Sequence, residues 1–403
     1  SLAATEKRGV FKSWTVLLAI MAFASSLLGT FITRSGLLTS VHAFATDPTR
    51  GVYILGFLGL IVGGSLLLYA IRAPILKSEF GFGNWSREVF LLANNLILVV
   101  ASAAILLGTL YPMVYQAVSG GDLISVGPPY FNTIFVPLMG ILVVLMGIGP
   151  VARWKRTSRE YLRQQLTRVA IAAVVLGVAI PVLLTMSVPL GTIGVCVLAL
   201  WIMFSMLRDV AGKVANKPSL AAGLKSLPVS YWGMQLAHFG FVMTMAGACL
   251  TSIYSIERSV LLQAGQQADL GRYTFAFEGT RPVQGPNYIA DEGTIRVLRD
   301  GEFLRTLHPQ KQLYTASNTP ATHMGIDGRF LRDLFVTLGD PRDNGAWSMT
   351  LYVKPFVRWI WLGTIFIAFG GILAVTDKRY RRYKVSKQEA ADSSQPMPGW
   401  QES

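Results

Sequence analysis

Residues 89–112 read VFLLANNLILVVASAAILLGTLYP, and no Lys, Arg, Asp or Glu interrupts the run. At 1.5 Å per residue a helix of this length reaches about 36 Å, more than the ~30 Å of hydrocarbon in a bilayer. Working outward from it, the same test finds seven further runs, at roughly 13–33, 51–73, 130–152, 167–186, 189–207, 231–253 and 356–376. The chain of 403 residues is 52% hydrophobic and only 14% charged, an ordinary balance for a polytopic membrane protein and an unusual one for a soluble protein. The expected fold class is an all-α polytopic membrane protein with about eight transmembrane helices. Spans five and six are parted only by Ser187-Val188-Pro189, which predicts a tight hairpin at one membrane face.

The formal net charge of +14 is a topology signal and not a nucleic-acid footprint, because of where it sits. Lys7, Arg8 and Lys12 precede span one. Arg72, Lys77 and Arg87 flank the loop after span two, and Arg153, Lys155, Arg156, Arg159 and Arg163 follow span four. Arg208, Lys213, Lys217 and Lys225 follow span six, and Lys378, Arg379, Arg381, Arg382, Lys384 and Lys387 follow span eight. With eight alternating spans all five segments fall on one face. The loops after spans three and five have no Lys or Arg. Both termini of this chain are therefore expected to be cytoplasmic.

Between spans seven and eight lies a long polar region, 254–355, that parity puts outside. Short alternating runs cross it, SVLLQA (259–264), RYTFAF (272–277), TIRVLR (294–299), EFLRTLH (302–308) and MTLYVK (349–354). Asp300-Gly301 between two of them is a hairpin signal. The reading is a small external antiparallel β domain, with a barrel as one way of closing it and loop in its middle, around the Asn-Thr-Pro and Gly-Asp-Pro turns. The domain plan is then 1–253, a seven-helix membrane domain with an external histidine loop at 34–50; 254–355, the β domain; 356–384, the last span and its basic flank; and 385–403, a polar tail expected to be disordered. The two cysteines, Cys196 and Cys249, fall in apolar runs without CxxC spacing and read as small buried thiols. The chain opens on SLAATEKRG, with neither Met nor a signal peptide, so an upstream part is expected.

Two histidines stand out. His42 lies in the outward loop after span one, within LLTSVHAF, a half-polar stretch suited to a short interfacial helix. The other outward loops avoid positive charge, yet Arg34 and Arg50 sit at the two ends of this one. Heme needs an axial nitrogen for its iron and cationic partners for two propionates. The bland alternative is an interfacial histidine with two snorkelling arginines. His238 lies inside span seven, where an ionisable group is costly and a functional role is the default expectation. Gln235 shares its face, and Gly240 and Gly247 leave room for a flat cofactor or a close helix. An interhelical hydrogen bond, for instance to Asn94 or Asn95, is the structural alternative. His308 and His323 read as exposed side chains. No HExxH, GxSxG or P-loop is present, and no catalytic side chain is singled out.

TEKRG at 5–9, TFITRSGLLTSVHAFATDPTRG at 30–51 and QLAHFGF at 235–241 closely resemble the CcmF/NrfE family of cytochrome c-type biogenesis proteins. The resemblance covers nearly all of the chain and is clearest at 1–60 and 228–260. It implies the heme lyase subunit of cytochrome c maturation, in the bacterial inner membrane with a periplasmic β domain. In that family heme arrives from the chaperone CcmE and is held outside the membrane between two histidines beside a tryptophan-rich WWD motif. His42 matches one of that pair. A b-type heme sits within the membrane between two further histidines, and His238 matches one of these. Heme is then joined to the CxxCH cysteines of apocytochrome c, which CcmH presents, and quinol is a possible electron source. The resemblance thus implies heme b as cofactor and a second heme as substrate. This chain has no WWD motif, so the missing N-terminal half is expected to carry it with the other histidine of each pair. Arg34 and Arg50 are propionate candidates from charge and position alone. Two rival classes remain: a heme or solute transporter, which calls for polar residues along several spans, and a non-catalytic b-heme electron-transfer subunit, which leaves His42 unexplained.

Overall fold

The computed structural model describes residues 2, 4–5, 9–34, 48–76, 81–120, 124–184, 188–342 and 345–377. Helices are α1 (Lys12–Arg34), α2 (Pro48–Arg72, continued by a 3-10 turn at Ala73–Leu76), α3 (Arg87–Ser119), α4 (Pro128–Ile148), α5 (Arg159–Leu184), α6 (Leu190–Val214), α7 (Leu220–Ser226), α8 (Val229–Tyr254) and α9 (Val357–Val375). All but the short α7 are long and apolar enough to cross a membrane. The protein is a multi-pass membrane protein, and α8 and α9 are the seventh and eighth spans. The chain divides into two compact units, Ser1–Leu166 and Thr167–Ser403.

In the first unit α1 and α2 form an antiparallel pair, because Ser13 at the start of α1 donates to the carbonyl of Leu76 beyond the end of α2 (3.4 Å). α1 buries no side chain within the described protein, as a lipid-facing helix should. α3 and α4 are locked at their charged end. Ser86 caps α3 by accepting from Val89 N, and the Arg87 side chain donates to the carbonyls of Gly149 and Ala152, at 3.0 and 3.1 Å. Buried Glu88 accepts from Lys155 N.

In the second unit α8 is packed on two sides. Gly233, Gly240 and Gly247 recur every seven residues, which keeps them on one helix face. That face meets α9: a Cβ at Gly233 would stand 2.5 Å from the carbonyl oxygen of Gly370, and one at Gly240 2.5 Å from that of Gly363. The space that Gly240 and Gly247 leave is thus filled by a close helix and not by a flat cofactor. The opposite face of α8 meets α6, which runs antiparallel to it: Thr192 donates to the Tyr254 hydroxyl (2.9 Å) at one end, and Tyr231 reaches Asp209 (2.7 Å) at the other.

The β domain fills the chain between α8 and α9. Its strands are β1 (Ile256–Leu262), β2 (Gln267–Leu270), β3 (Tyr273–Gln284), β4 (Tyr288–Arg299), β5 (Glu302–Leu307), β6 (Gln310–Tyr314), β7 (Thr319–His323), β8 (Gly325–Gly328), β9 (Arg332–Pro341) and β10 (Trp347–Pro355). They make two antiparallel sheets, of order β1-β10-β9-β8 and β2-β3-β4-β6-β7, with β5 also paired to β4. The closure is a two-sheet sandwich, not a barrel. Period-two burial builds the core: Phe275 and Phe277, Ile295 and Val297, Leu334, Val336 and Leu338, and Met349 and Leu351 all point inward. Each such side chain contributes about 1.5–3 kcal/mol by burial. Asp300 and Gly301, at φ 51° and 89°, join β4 to β5 as the sequence predicts, with Arg299 paired to Glu302 across the turn. The middle of the domain is not loop, as the turn residues suggested. It carries β6 to β9, with Pro320 in the edge strand β7 and Pro341 at the end of β9.

Candidate functional site

Tyr231, Gln235 and His238 fall at i, i+4 and i+7 along α8 and share the face turned from the glycine seam. Asp209 and Ser205 lie one turn apart on α6 and are buried, as is Gln235. A carboxylate only accepts, so the Tyr231 hydroxyl donates to Asp209 Oδ2 (2.7 Å). It must then accept from Gln235 Nε2 (2.6 Å). That fixes the amide, and Gln235 Oε1 is left buried without a hydrogen-bond partner, as is Ser205 Oγ. Lys213 closes the end of the set away from His238, pairing with Asp209 one turn away and lying 4.8 Å over the Tyr231 ring.

His238 follows directly along the stripe and is half-buried. Its Nδ1 lies 2.8 Å from the carbonyl oxygen of Met234. A backbone carbonyl only accepts, so Nδ1 holds the proton and the lone pair is on Nε2. Among the described residues Nε2 has no hydrogen-bond partner. Fixing the tautomer through the second nitrogen is what orients a histidine toward a metal. The ring therefore fits axial ligation of a heme iron through Nε2. Its Nδ1 bonds within its own helix.

Arg34 ends α1 and Arg50 opens α2, and both are exposed. The antiparallel pairing of the two helices brings the arginines to one end, the end that carries the connection 35–47. His42 lies in that connection, outside the described residues. Asp209, Tyr231 and Ser205 were missed in the sequence reading. The available signal was polar spacing, Asp209 four before Lys213 and Tyr231 four before Gln235.

The region 253–355 matches the family model described as CcmF C-terminal beta-sandwich. Over 97% of its length the chain is 52% identical to cytochrome c-type biogenesis protein CcmF of Pseudomonas aeruginosa. This chain is a CcmF homologue. The CcmF of Escherichia coli is 43% identical over the same share of the chain, and cytochrome c-type biogenesis protein NrfE of Haemophilus influenzae is 34% identical over 95%. A solved structure named cytochrome c heme lyase CcmF superposes with a TM-score of 0.74 at 25% identity, covering 93% of this chain and 56% of that one. The chain spans about 59% of the length of these CcmF relatives.

Proposed function

We propose that the chain serves as the heme lyase subunit of cytochrome c maturation in a bacterial inner membrane, with its termini cytoplasmic and its β domain periplasmic. The observation that carries this reading is a CcmF-like chain whose intramembrane histidine has its Nδ1 proton committed to Met234 and its Nε2 left open. In this reading His238 would hold a heme b through its Nε2. A heme bound there supplies one-electron redox chemistry, drawn from a donor such as quinol. The Met234 carbonyl keeps the ring in one tautomer, and the Asp209–Tyr231–Gln235 hydrogen bonds hold α6 against the same face of α8.

The substrate heme, received from CcmE, is held at the outer face by His42, with Arg34 and Arg50 on its propionates. Ligation and propionate pairing turn the vinyl groups toward two cysteine thiols of apocytochrome c, presented by CcmH, and the effect is one of positioning. Each thiol adds across a vinyl double bond, sulfur to one carbon and hydrogen to the other, so the thiols and the heme must be kept reduced.

The test is a visible spectrum of the purified protein together with a cytochrome c maturation assay. His238→Ala is expected to lose the b-type bands. His42→Ala is expected to keep them and to lose maturation while still inserting in the membrane. An unaltered b-type spectrum in His238→Ala would refute the intramembrane assignment, and full maturation by His42→Ala would favour a non-catalytic electron-transfer subunit.

A further inference from the structure

The turn between β8 and β9 carries an exposed apolar pair at its tip. Arg329 and Arg332 exchange both backbone hydrogen bonds, at 2.8 and 3.2 Å, which closes a two-residue loop. Such tips favour Asn, Asp and Gly, as at Asp300-Gly301. Here the loop is Phe330-Leu331, each 56% exposed.

The height of this tip above the membrane follows from α9. That helix has 19 residues, about 28 Å at 1.5 Å per residue, barely the ~30 Å of hydrocarbon it must cross. With no length to spare, its first turn lies at the hydrocarbon boundary. Phe356 immediately precedes α9, and its N–H donates to the carbonyl of Leu331 at 3.0 Å. The Phe330 ring lies 5.8 Å from the Trp359 ring, and Trp359 is in the first turn of α9. The tip is thus bonded to the residue that enters the membrane and shares its depth.

Charge around the tip fits the same surface. Arg305, Arg329 and Arg358 are more than half exposed while they pair with buried Asp327 and Asp333. Arg332 completes the set on Asp327 at 2.6 Å. Four guanidiniums against two carboxylates leave an excess of positive charge beside an exposed apolar pair. Aromatic and apolar side chains facing hydrocarbon, with arginines at phosphate height, make a membrane-interface anchor.

We propose that the Phe330–Leu331 tip inserts into the phospholipid interface, with Arg305, Arg329 and Arg358 facing lipid phosphates, so that the sandwich rests on the bilayer at two points, the α8–α9 stem and this tip. The resting point sets the tilt of the domain over the membrane.

The wild-type protein in phosphatidylethanolamine and phosphatidylglycerol vesicles, doped with a phospholipid carrying an acyl-chain diazirine, is photolysed and mapped by peptide mass spectrometry. Labelling of 329–332 is expected to be several-fold above that of the polar tip at 299–302. Equal labelling of the two tips would overturn the proposal. A second reading uses a nitroxide on Leu331→Cys, in a background with Cys196→Ala and Cys249→Ala, and on Phe303→Cys as the water-exposed reference. Collisions at Leu331→Cys are expected to favour oxygen over a polar nickel chelate. A ratio equal to that of Phe303→Cys would sink the anchor.

Discussion

Gly240 and Gly363 meet backbone to backbone: a Cβ built on Gly240 would lie 2.5 Å from the Gly363 carbonyl oxygen and 2.8 Å from Ile367 N and Phe366 Cβ, none of them the far end of a flexible side chain. Small residues of this kind let helices associate in lipid, where burial of apolar area gives no advantage. Gly240→Ala is expected to destabilise the protein by about 1–3 kcal/mol through overpacking. Gly371 has nothing within 4 Å of a built Cβ, so Gly371→Ala should be neutral or gain up to ~1 kcal/mol from helix propensity. Thermal unfolding in detergent micelles checks both. A lowered midpoint for Gly371→Ala as large as that for Gly240→Ala would mean that the seam is not what the glycines serve.

Tyr231 holds the α6–α8 contact through one oxygen that donates to Asp209 and accepts from Gln235. Tyr231→Phe keeps the ring and strips both partners of that bond. Each is buried, so the expected cost is roughly 1–3 kcal/mol for a polar group left unpaired. Asp209→Leu is expected to be milder than Asp209→Ala, since it fills the volume while removing the charge. The measurement is the unfolding midpoint of each variant. If Tyr231→Phe unfolds like the wild type, the hydrogen-bonded stripe is not a support of the helix pair.

The spans and the five strand runs were legible because period and length are local properties. Residues 272–277 and 294–299 alternate, and both lie in strands whose inward residues are Phe275, Phe277, Ile295 and Val297. The middle of the β domain was misread because Pro320 and Pro341 look like breakers. Pro320 stands in an edge strand and Pro341 ends its strand, where a missing N–H costs little. Gly240 was left between two readings, since its partner Gly363 is remote in sequence and pairing of distant helices leaves no local trace. His238 was legible as a residue, but its tautomer was not. That depends on where the Met234 carbonyl points, one turn back. Asp209 was hidden at the end of an apolar run, where its pairing to Lys213 makes a carboxylate tolerable.

Arg34 and Arg50 come to the same end of the α1–α2 pair, on either side of the connection that holds His42. If they pair with propionates, replacing both should weaken heme retention at the outer site and leave the b-type spectrum intact. The double variant Arg34→Gln, Arg50→Gln is expected to lose heme delivered from outside, with partial rescue by Lys at both positions because charge returns without the bidentate fork. Retention is read as absorbance after gel filtration. Equal retention by wild type and double Gln variant would leave the arginines as membrane-boundary charges only.

Glu292 supplies an acid-sensitive joint in the sandwich. It is buried on β4, accepting from Gln310 Nε2 (2.7 Å) and from Arg281 (2.6 Å to Nη2), with the His308 ring at 3.8 Å. The hydrogen bond from Gln310, then that from Arg281, hold its carboxyl below the ordinary glutamate value, against burial, which pushes upward. A depressed native value means that the stabilisation is full above the ordinary glutamate pKa. It is lost as pH falls through the lower, native one. Asp327 follows the same direction. Burial acts to raise it, and the hydrogen bond and charge of Arg332, with the charges of Arg329 and the bond from Arg305, outweigh that. Unfolding of the β domain by denaturant, followed across the acid range, should therefore become easier as pH drops. Glu292→Gln is expected to be less stable than wild type at neutral pH, because Arg281 loses its partner, and to show a shallower fall with acid. A wild-type slope retained in Glu292→Gln would assign the acid sensitivity to Asp327 and the remaining carboxylates instead.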